Sequence, residues 1–324
     1  MSELYDSLGR SINYLRISVT DRCNLRCLYC MPSEGVHWIP HSEILSYEEI
    51  SAIVQIAAKL GVNKIRLTGG EPLVRSELPK LIRMLWQIEG IDEVSLTTNG
   101  TLLKKYAMEL KQAGLRRINV SLDTFKADRF QRITRLGELK DVLDGIEAAK
   151  SVGLWPVKIN TVVMRGINDD EVLDFANKAY REEWHVRFIE LMPFGGVTEF
   201  VPSNELRQLV GSLGELEPCP PIIGNGPARY YRLPGAEGTI GFISPITEPF
   251  FCSSCNRMRL TSDGKLRPCL LSDNEIDLKG SLRNNASMQE IKHLILKAVA
   301  SKPEHHRLAE GLIPISQKMS QIGG

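Results

Sequence analysis

Between Tyr14 and Glu190, short apolar runs alternate with amphipathic helical patterns, and this alternation limits the fold more than any other feature of the chain. The first run is Tyr14-Leu-Arg-Ile-Ser-Val19. A helix is expected over 46–60. Ser46 stands at the N-cap with Glu49 three residues on, Gly61 follows the end, and Ile50, Ile53, Val54, Ala57 and Leu60 recur at helical spacing. The same reading predicts strand 64–68 and helix 77–88, strand 93–98 and helix 102–113, and strand 116–121 with helices to about 150. Strand 154–161, helix 169–180 and strand 185–190 complete six β-then-α units. Parallel neighbours need a crossover, usually a helix, so this order implies an α/β fold with a parallel sheet. Polar signals fall where strands end: Thr68-Gly-Gly-Glu-Pro72, Thr97-Thr-Asn-Gly100, Ser121-Leu-Asp123, Lys158-Ile-Asn160 and Glu190-Leu-Met-Pro193. Barrels and doubly wound sheets both build sites at the carboxyl ends of strands, so closure of the sheet stays open at this point.

From about 193 the pattern changes to Pro, Gly and short strands, as in Pro218-Cys-Pro-Pro221, Gly224-Asn-Gly-Pro227, Tyr230-Tyr-Arg-Leu233 and Thr239-Ile-Gly-Phe-Ile243. A hairpin is expected with Asp263-Gly264 at its turn, then a helix at about 287–299. The chain is therefore read as 1–192 and 193–324, the second region closing the open side of the first. A net charge of +1 over 324 residues gives no general attraction to nucleic acid or anionic membrane. No apolar run approaches the ~20 residues of a membrane span, and the first ten residues lack a secretory apolar stretch. Clustered cysteines in that setting point to a reducing cytosol and metal ligation rather than disulfides.

Three cysteines stand at Cys23, Cys27 and Cys30, spaced C-x3-C-x2-C. Three thiolates this close can hold three irons of a 4Fe–4S cluster and leave the fourth iron open to a small chelating ligand, whereas closed structural sites normally take four protein ligands. Zinc would need a fourth ligand, and His37 is the only one nearby. A second set, Cys252, Cys255 and Cys269, is spaced C-x2-C-x13-C and again lacks a fourth partner. Half a zinc ribbon is the commoner source of C-x2-C; the missing ligand argues against it. Cys219 has nothing at ligand spacing and reads as a free thiol.

Arg257 and Arg259 alternate beside the second set. On an extended strand both guanidinium groups would share a face and suit a polyphosphate, with plain solvent exposure as the alternative. Arg267 adds charge nearby. Arg16, Arg66 and Lys158 lie within β-runs, where an unpaired cation is costly, so each is expected to face an anion inside or a barrel carboxylate. The chain ends Gln321-Ile-Gly-Gly324. Such an end is usually mobile, yet without side chains it can also thread into a narrow cavity.

The run Cys23 to Cys30, with Tyr29 before the last cysteine, resembles the signature of the radical S-adenosylmethionine (SAM) enzymes. That resemblance implies an incomplete (β/α)6 TIM-like barrel with a small C-terminal β-containing region that carries a second cluster. It implies SAM on the open iron, with Tyr29, Gly70 and Glu71 of the Gly-Gly-Glu-Pro run, Ser121 and Met192 as SAM contacts. The longer run Phe251-Cys-Ser-Ser-Cys-Asn-Arg-Met-Arg-Leu-Thr261, then Asp263-Gly-Lys-Leu-Arg-Pro-Cys-Leu270 and the terminal Gly-Gly, resembles one branch of these enzymes, the GTP 3′,8-cyclases of molybdenum cofactor biosynthesis. That resemblance implies a lyase using two 4Fe–4S clusters and SAM. A 5′-deoxyadenosyl radical removes H3′ from GTP, and C3′ closes on guanine C8 to give 3′,8-cyclo-7,8-dihydroguanosine 5′-triphosphate. It further implies GTP contacts from Arg16, Arg66, Thr97, Lys158, Arg257, Met258 and Arg259, a place for Gly323 and Gly324 in the chemistry, and the second cluster's open iron on the guanine. Implied partners are an external one-electron reductant and the pyranopterin monophosphate synthase that takes the product, with a homodimer as one assembly open to it. Two other classes stand beside this reading. A radical SAM peptide-modifying enzyme would usually carry more C-terminal cysteines. A zinc-binding nucleic-acid module fits neither the net charge nor six βα units.

Overall fold

The computed structural model describes residues 3–194, 198–308 and 319–323. Strands β1 (Tyr14–Ser18), β2 (Lys64–Thr68), β3 (Glu93–Thr98), β4 (Ile118–Ser121), β5 (Val157–Val163) and β6 (His185–Glu190) pair in sequence order, all parallel. Helices α1 (Tyr47–Lys59), α2 (Leu78–Trp86), α3 (Leu103–Gln112), α4 (Ala127–Thr134), α5 (Leu139–Ser151) and α6 (Val172–Arg181) make the crossovers. Helix α1 carries the capping box read from the sequence: the Glu49 amide donates to Ser46 Oγ at 3.1 Å, and the Ser46 amide to Glu49 Oε2 at 2.7 Å. Strand β5 starts at Val157 rather than 154, because Pro156 has no amide to offer the ladder. It ends two residues later than expected, since Val162 and Val163 still pair with β6.

The C-terminal chain adds α7 (Ser203–Gly211), strands β7 (Glu217–Cys219), β8 (Arg229–Arg232), β9 (Thr239–Ile243), β10 (Arg257–Leu260), β11 (Lys265–Arg267) and β12 (Ile276–Asp277), then helices α8 (Lys279–Arg283), α9 (Met288–Ala300) and α10 (Met319–Ile322). Its described strands all join the sheet of the first region. Strand β9 joins β6 and β10 joins β1, both in parallel, so the sheet runs β12-β11-β10-β1-β2-β3-β4-β5-β6-β9-β8-β7. The two ends of that order do not meet, and the barrel is incomplete. The expected hairpin turn falls between β10 and β11, with Gly264 at φ +83°.

Alternation along the strands sorts side chains into two layers. Leu15, Ile17, Ile65, Leu67, Leu96, Val120, Ile159, Val186 and Phe188 form one apolar core with Ile50, Ile53 and Val54 of α1. Each such residue, fully buried, contributes about 1.5–3 kcal/mol. The inner layer is polar. Arg259, Arg16 and Arg66 are register neighbours across β10, β1 and β2; Thr97, Asn119 and Lys158 across β3, β4 and β5; Asn160 and Arg187 across β5 and β6. A barrel lined by cations and amides is a chamber for a polar ligand rather than a packed core.

The loop after β2 lies backbone on backbone against the loop after β1. The Gly70 amide donates to Thr20 O and the Glu71 amide to Arg22 O, each at 2.8 Å. A Cβ on Gly70 would collide with the Arg22 carbonyl oxygen. Gly70→Ala is therefore expected to cost about 1–3 kcal/mol of stability, as overpacking does. Gly211→Ala, which meets nothing within 4 Å, should cost far less. Urea unfolding midpoints check this, and equal midpoints for the two variants would refute the close approach. No helix among the described residues is long and apolar enough to cross a membrane.

Candidate active site

A cavity of about 310 Å³ opens at the carboxyl ends of the parallel strands and runs into the barrel. All six cysteines of the two sets line it, Cys23, Cys27 and Cys30 from the loop after β1 and Cys252, Cys255 and Cys269 from around β10 and β11. No disulfide links them. The first loop is fixed by its backbone: the Arg26 and Leu28 amides donate to Thr134 O and Ile133 O at 2.9 Å, and Arg135 Nη1 donates to Arg26 O and Met31 O. Tyr29 lines the cavity, and its hydroxyl donates to Asp123 Oδ2 at 2.7 Å. Burial pushes the Cys23 thiol up to about 11; burial, then the charges of Cys30, Asp123 and Cys23, holds Cys27 well above the ordinary thiol range. Three thiols on one loop, with Cys30 and Cys23 both opposing ionisation of Cys27, are a donor set for a cationic metal centre. Among the described residues no three His, Cys, Asp or Glu side chains stand close enough to share one metal ion. Three thiols from one loop at the cavity suit three irons of a 4Fe–4S cluster. In the second set, burial works to raise the Cys255 thiol, but Arg257 and Lys302 outweigh it and bring it down to about 6. Arg257 Nη2 donates to Cys255 Sγ at 3.6 Å.

Gly70, Ser121 and Met192 line the cavity as the sequence expectation has them. The Glu71 side chain is turned away from the cavity surface. Its carboxylate is fully buried and accepts from the Leu73 amide at 2.9 Å, Thr98 Oγ1 at 2.7 Å and the Asn99 amide at 2.6 Å. A buried carboxylate needs those partners, and they commit it to bracing the loops after β2 and β3. Burial carries its pKa up to about 7.

Arg16, Arg66, Thr97, Arg257 and Arg259 line the same cavity. Arg66 Nη1 donates to Thr97 Oγ1 at 3.5 Å, and its Nε to the Tyr14 hydroxyl. Burial, followed by the charge of Arg257, lowers Arg259 to about 10; burial, then Arg259 and Arg66, holds Arg16 well below the usual guanidinium range. These cations crowd one another, and an anion in the cavity would relieve them all. Met258 turns away from both arginines into the apolar core at 1% exposure, because alternation that pairs Arg257 with Arg259 sends it to the other face. Lys158 Nζ donates to Ile223 O at 2.8 Å, and burial, then Arg187, Arg117 and Arg66, brings it down to about 6. Arg267 donates to Ser272 O and lies near Asp273 and Glu275, and its charge is among those acting on Arg259.

Arg187 on β6 was not singled out by the sequence. It lines the cavity at 6% exposure, and Nε and Nη2 have no partner among the described residues. The available signal was a cation alternating with Val186 and Phe188 in an apolar strand. Asn160 lines the cavity too, in register with Ser121. Gly323 lies inside: its carbonyl accepts from Arg259 Nη1 at 2.7 Å and Arg16 Nη2 at 3.3 Å. Its φ is +73°, and a Cβ there would lie 2.7 Å from Thr68 Cγ2, so only glycine fits. Gly324 lies outside the described residues.

Residues 17–179 match the radical SAM superfamily, and residues 184–308 match the family described as Molybdenum Cofactor Synthesis C. Among solved structures, Streptococcus suis SuiB superposes with a TM-score of 0.57 at 16% identity, over 91% of this chain and 68% of that one. Its complex with the precursor peptide SuiA gives 0.58 over 90% and 65%. Likeness at that identity is one of fold, and the fold with its thiol loop after β1 is that of a radical SAM protein. Full-length relatives are far closer. A GTP 3′,8-cyclase of Pelotomaculum thermopropionicum is 53% identical over 99% of this chain and 100% of the relative, and one of Moorella thermoacetica is 51% identical with the same coverage. The chain belongs to the GTP 3′,8-cyclase family.

Proposed function

We infer that the protein is a GTP 3′,8-cyclase acting in the first step of molybdenum cofactor biosynthesis. The observation that carries this is one chamber walled by two separate three-thiol sets and by a crowd of arginines. Cys23, Cys27 and Cys30 would hold the first 4Fe–4S cluster, and Cys252, Cys255 and Cys269 the second. The chemistry supplied by the bound first cluster and SAM is one-electron reductive cleavage to a 5′-deoxyadenosyl radical, leading to loss of H3′ from GTP and closure of C3′ onto guanine C8. The chain's own residues bind and orient. Gly70 permits close backbone approach on the SAM side, beside Tyr29, Ser121, Asn160 and Met192. Arg16, Arg66, Arg187, Arg257 and Arg259, with Thr97, form the anion-binding wall for the triphosphate. Lys158, in the inner layer of β5, adds a further cation beside that wall, and Met258 packs it from behind. A peptide substrate has no use for so many cations, which weighs against the peptide-modifying alternative. An external reductant, transfer of product to the pyranopterin monophosphate synthase, a cytoplasmic location and a homodimer belong to the same reading. Anaerobic incubation with GTP, SAM and dithionite tests it. The expected products are 5′-deoxyadenosine and 3′,8-cyclo-7,8-dihydroguanosine 5′-triphosphate, and cleavage of SAM with GTP left intact would defeat the reading.

The tail has a place in this reading. Gly323, held by Arg16 and Arg259 and seated against Thr68 and Ser18, fills the space between the anion wall and the first strands. Deleting Gly323 and Gly324 should leave iron content and GTP binding intact and lower product per SAM consumed on the order of tenfold or more, as misplacing reactants does. Unchanged rate and yield would mark an ordinary chain end.

A further inference from the structure

Lys302 follows α9 and is only 4% exposed. Its Nζ donates to Arg257 O at 2.8 Å and to Pro268 O at 2.6 Å. The first carbonyl belongs to the strand that follows Cys255, the second to the residue before Cys269. The next residues complete the tie. Arg10 donates to Cys252 O at 3.0 Å, and also to Pro303 O and Glu304 O. Residues 302–304 thus gather all three cysteine segments of the second set. The two cations differ in how their charge is met. Arg10 is paired with Asp6 at 2.6 Å. Lys302 has neutral carbonyls as its partners and no carboxylate partner among the described residues. A buried ammonium without a counter-ion is expensive, and the groups with negative charge to offer here are the thiolates beside it. Its charge is one of those acting on Cys255.

We propose that Lys302 is a positioning residue for the second metal centre, holding the segments of Cys255 and Cys269 together and supplying the positive charge that raises the reduction potential of a cluster bound there. The charge favours the more negative, reduced cluster, so its loss should move the potential down. The proposal rests on the assignment of a cluster to Cys252, Cys255 and Cys269. The test uses the full chain with Cys23, Cys27 and Cys30 replaced by Ala, so that the second cluster alone reports. Lys302→Gln keeps two donors and removes the charge, Lys302→Met removes both, and Lys302→Arg keeps both. Iron and sulfide analysis and an EPR-monitored redox titration are the readouts. Lys302→Gln should hold its parent's iron while its reduction equilibrium falls at least tenfold, about 59 mV for one electron. Lys302→Met should lose most of the iron, and Lys302→Arg should match the parent in both. An unchanged potential in Lys302→Gln would overturn the electrostatic role, and full iron in Lys302→Met the positioning role. A parent without iron would overturn the cluster assignment and the proposal with it, before any change at Lys302.

Discussion

Replacing Cys23, Cys27 and Cys30 together with Ala is expected to abolish SAM cleavage and leave about half the iron, if each three-thiol set nucleates one cuboidal cluster. Alanine offers no donor, so the first cluster has no anchor. The loop itself should persist, because its backbone is bonded to the end of α4 at Ile133 O and Thr134 O and clamped by Arg135, none of which depends on sulfur. The second set hangs from Arg10 and Lys302 on other chain segments and should keep its metal. Iron and sulfide analysis gives the first half of the result, and chromatography for 5′-deoxyadenosine under dithionite gives the second. A triple variant that still makes 5′-deoxyadenosine would end the assignment of the first cluster.

Arg259→Ala should weaken GTP binding by about 1.5–3 kcal/mol, the range for a charge-assisted hydrogen bond, and leave SAM affinity unchanged. The side chain is 9% exposed in the cavity wall, and its neighbours Arg257 and Arg16 act against its charge. Removing one of three crowded cations relieves repulsion in the empty protein. The ligand-free variant should therefore unfold at a temperature no lower than the parent's by more than the loss of its bond to Gly323 allows. The stabilisation that GTP adds should shrink with its affinity. Arg257→Ala, which lacks the tail contact, should show the same loss of GTP affinity. Calorimetric titration with GTP and with SAM decides the matter, and equal losses for both ligands would mean general damage near the second thiol set.

Local pattern carried much of this protein. Ser46 and Glu49 close the capping box of α1, six β-then-α units pair in order, and Asp263-Gly264 turns the β10–β11 hairpin. Each depends on residues close in sequence, whose chemistry is complete before the chain folds. The same holds for the spacing of the two cysteine sets, and for the alternation that puts Arg257 and Arg259 on one face. That alternation also forbids Met258 the same face, a consequence already present in the sequence.

Other features were decided by partners far away. Strand β10 lies parallel to β1 and β9 to β6, pairings that no local periodicity encodes, and they bring the second thiol set into the chamber of the first. Thr98 and Asn99 take up the oxygens of Glu71, and Ile223 O meets the ammonium of Lys158, partners that no local pattern names. Arg187 and Lys302 look ordinary in sequence. Burial changes what they mean, because an ammonium or guanidinium out of water must find a partner, and only the folded chain determines which partner is within reach.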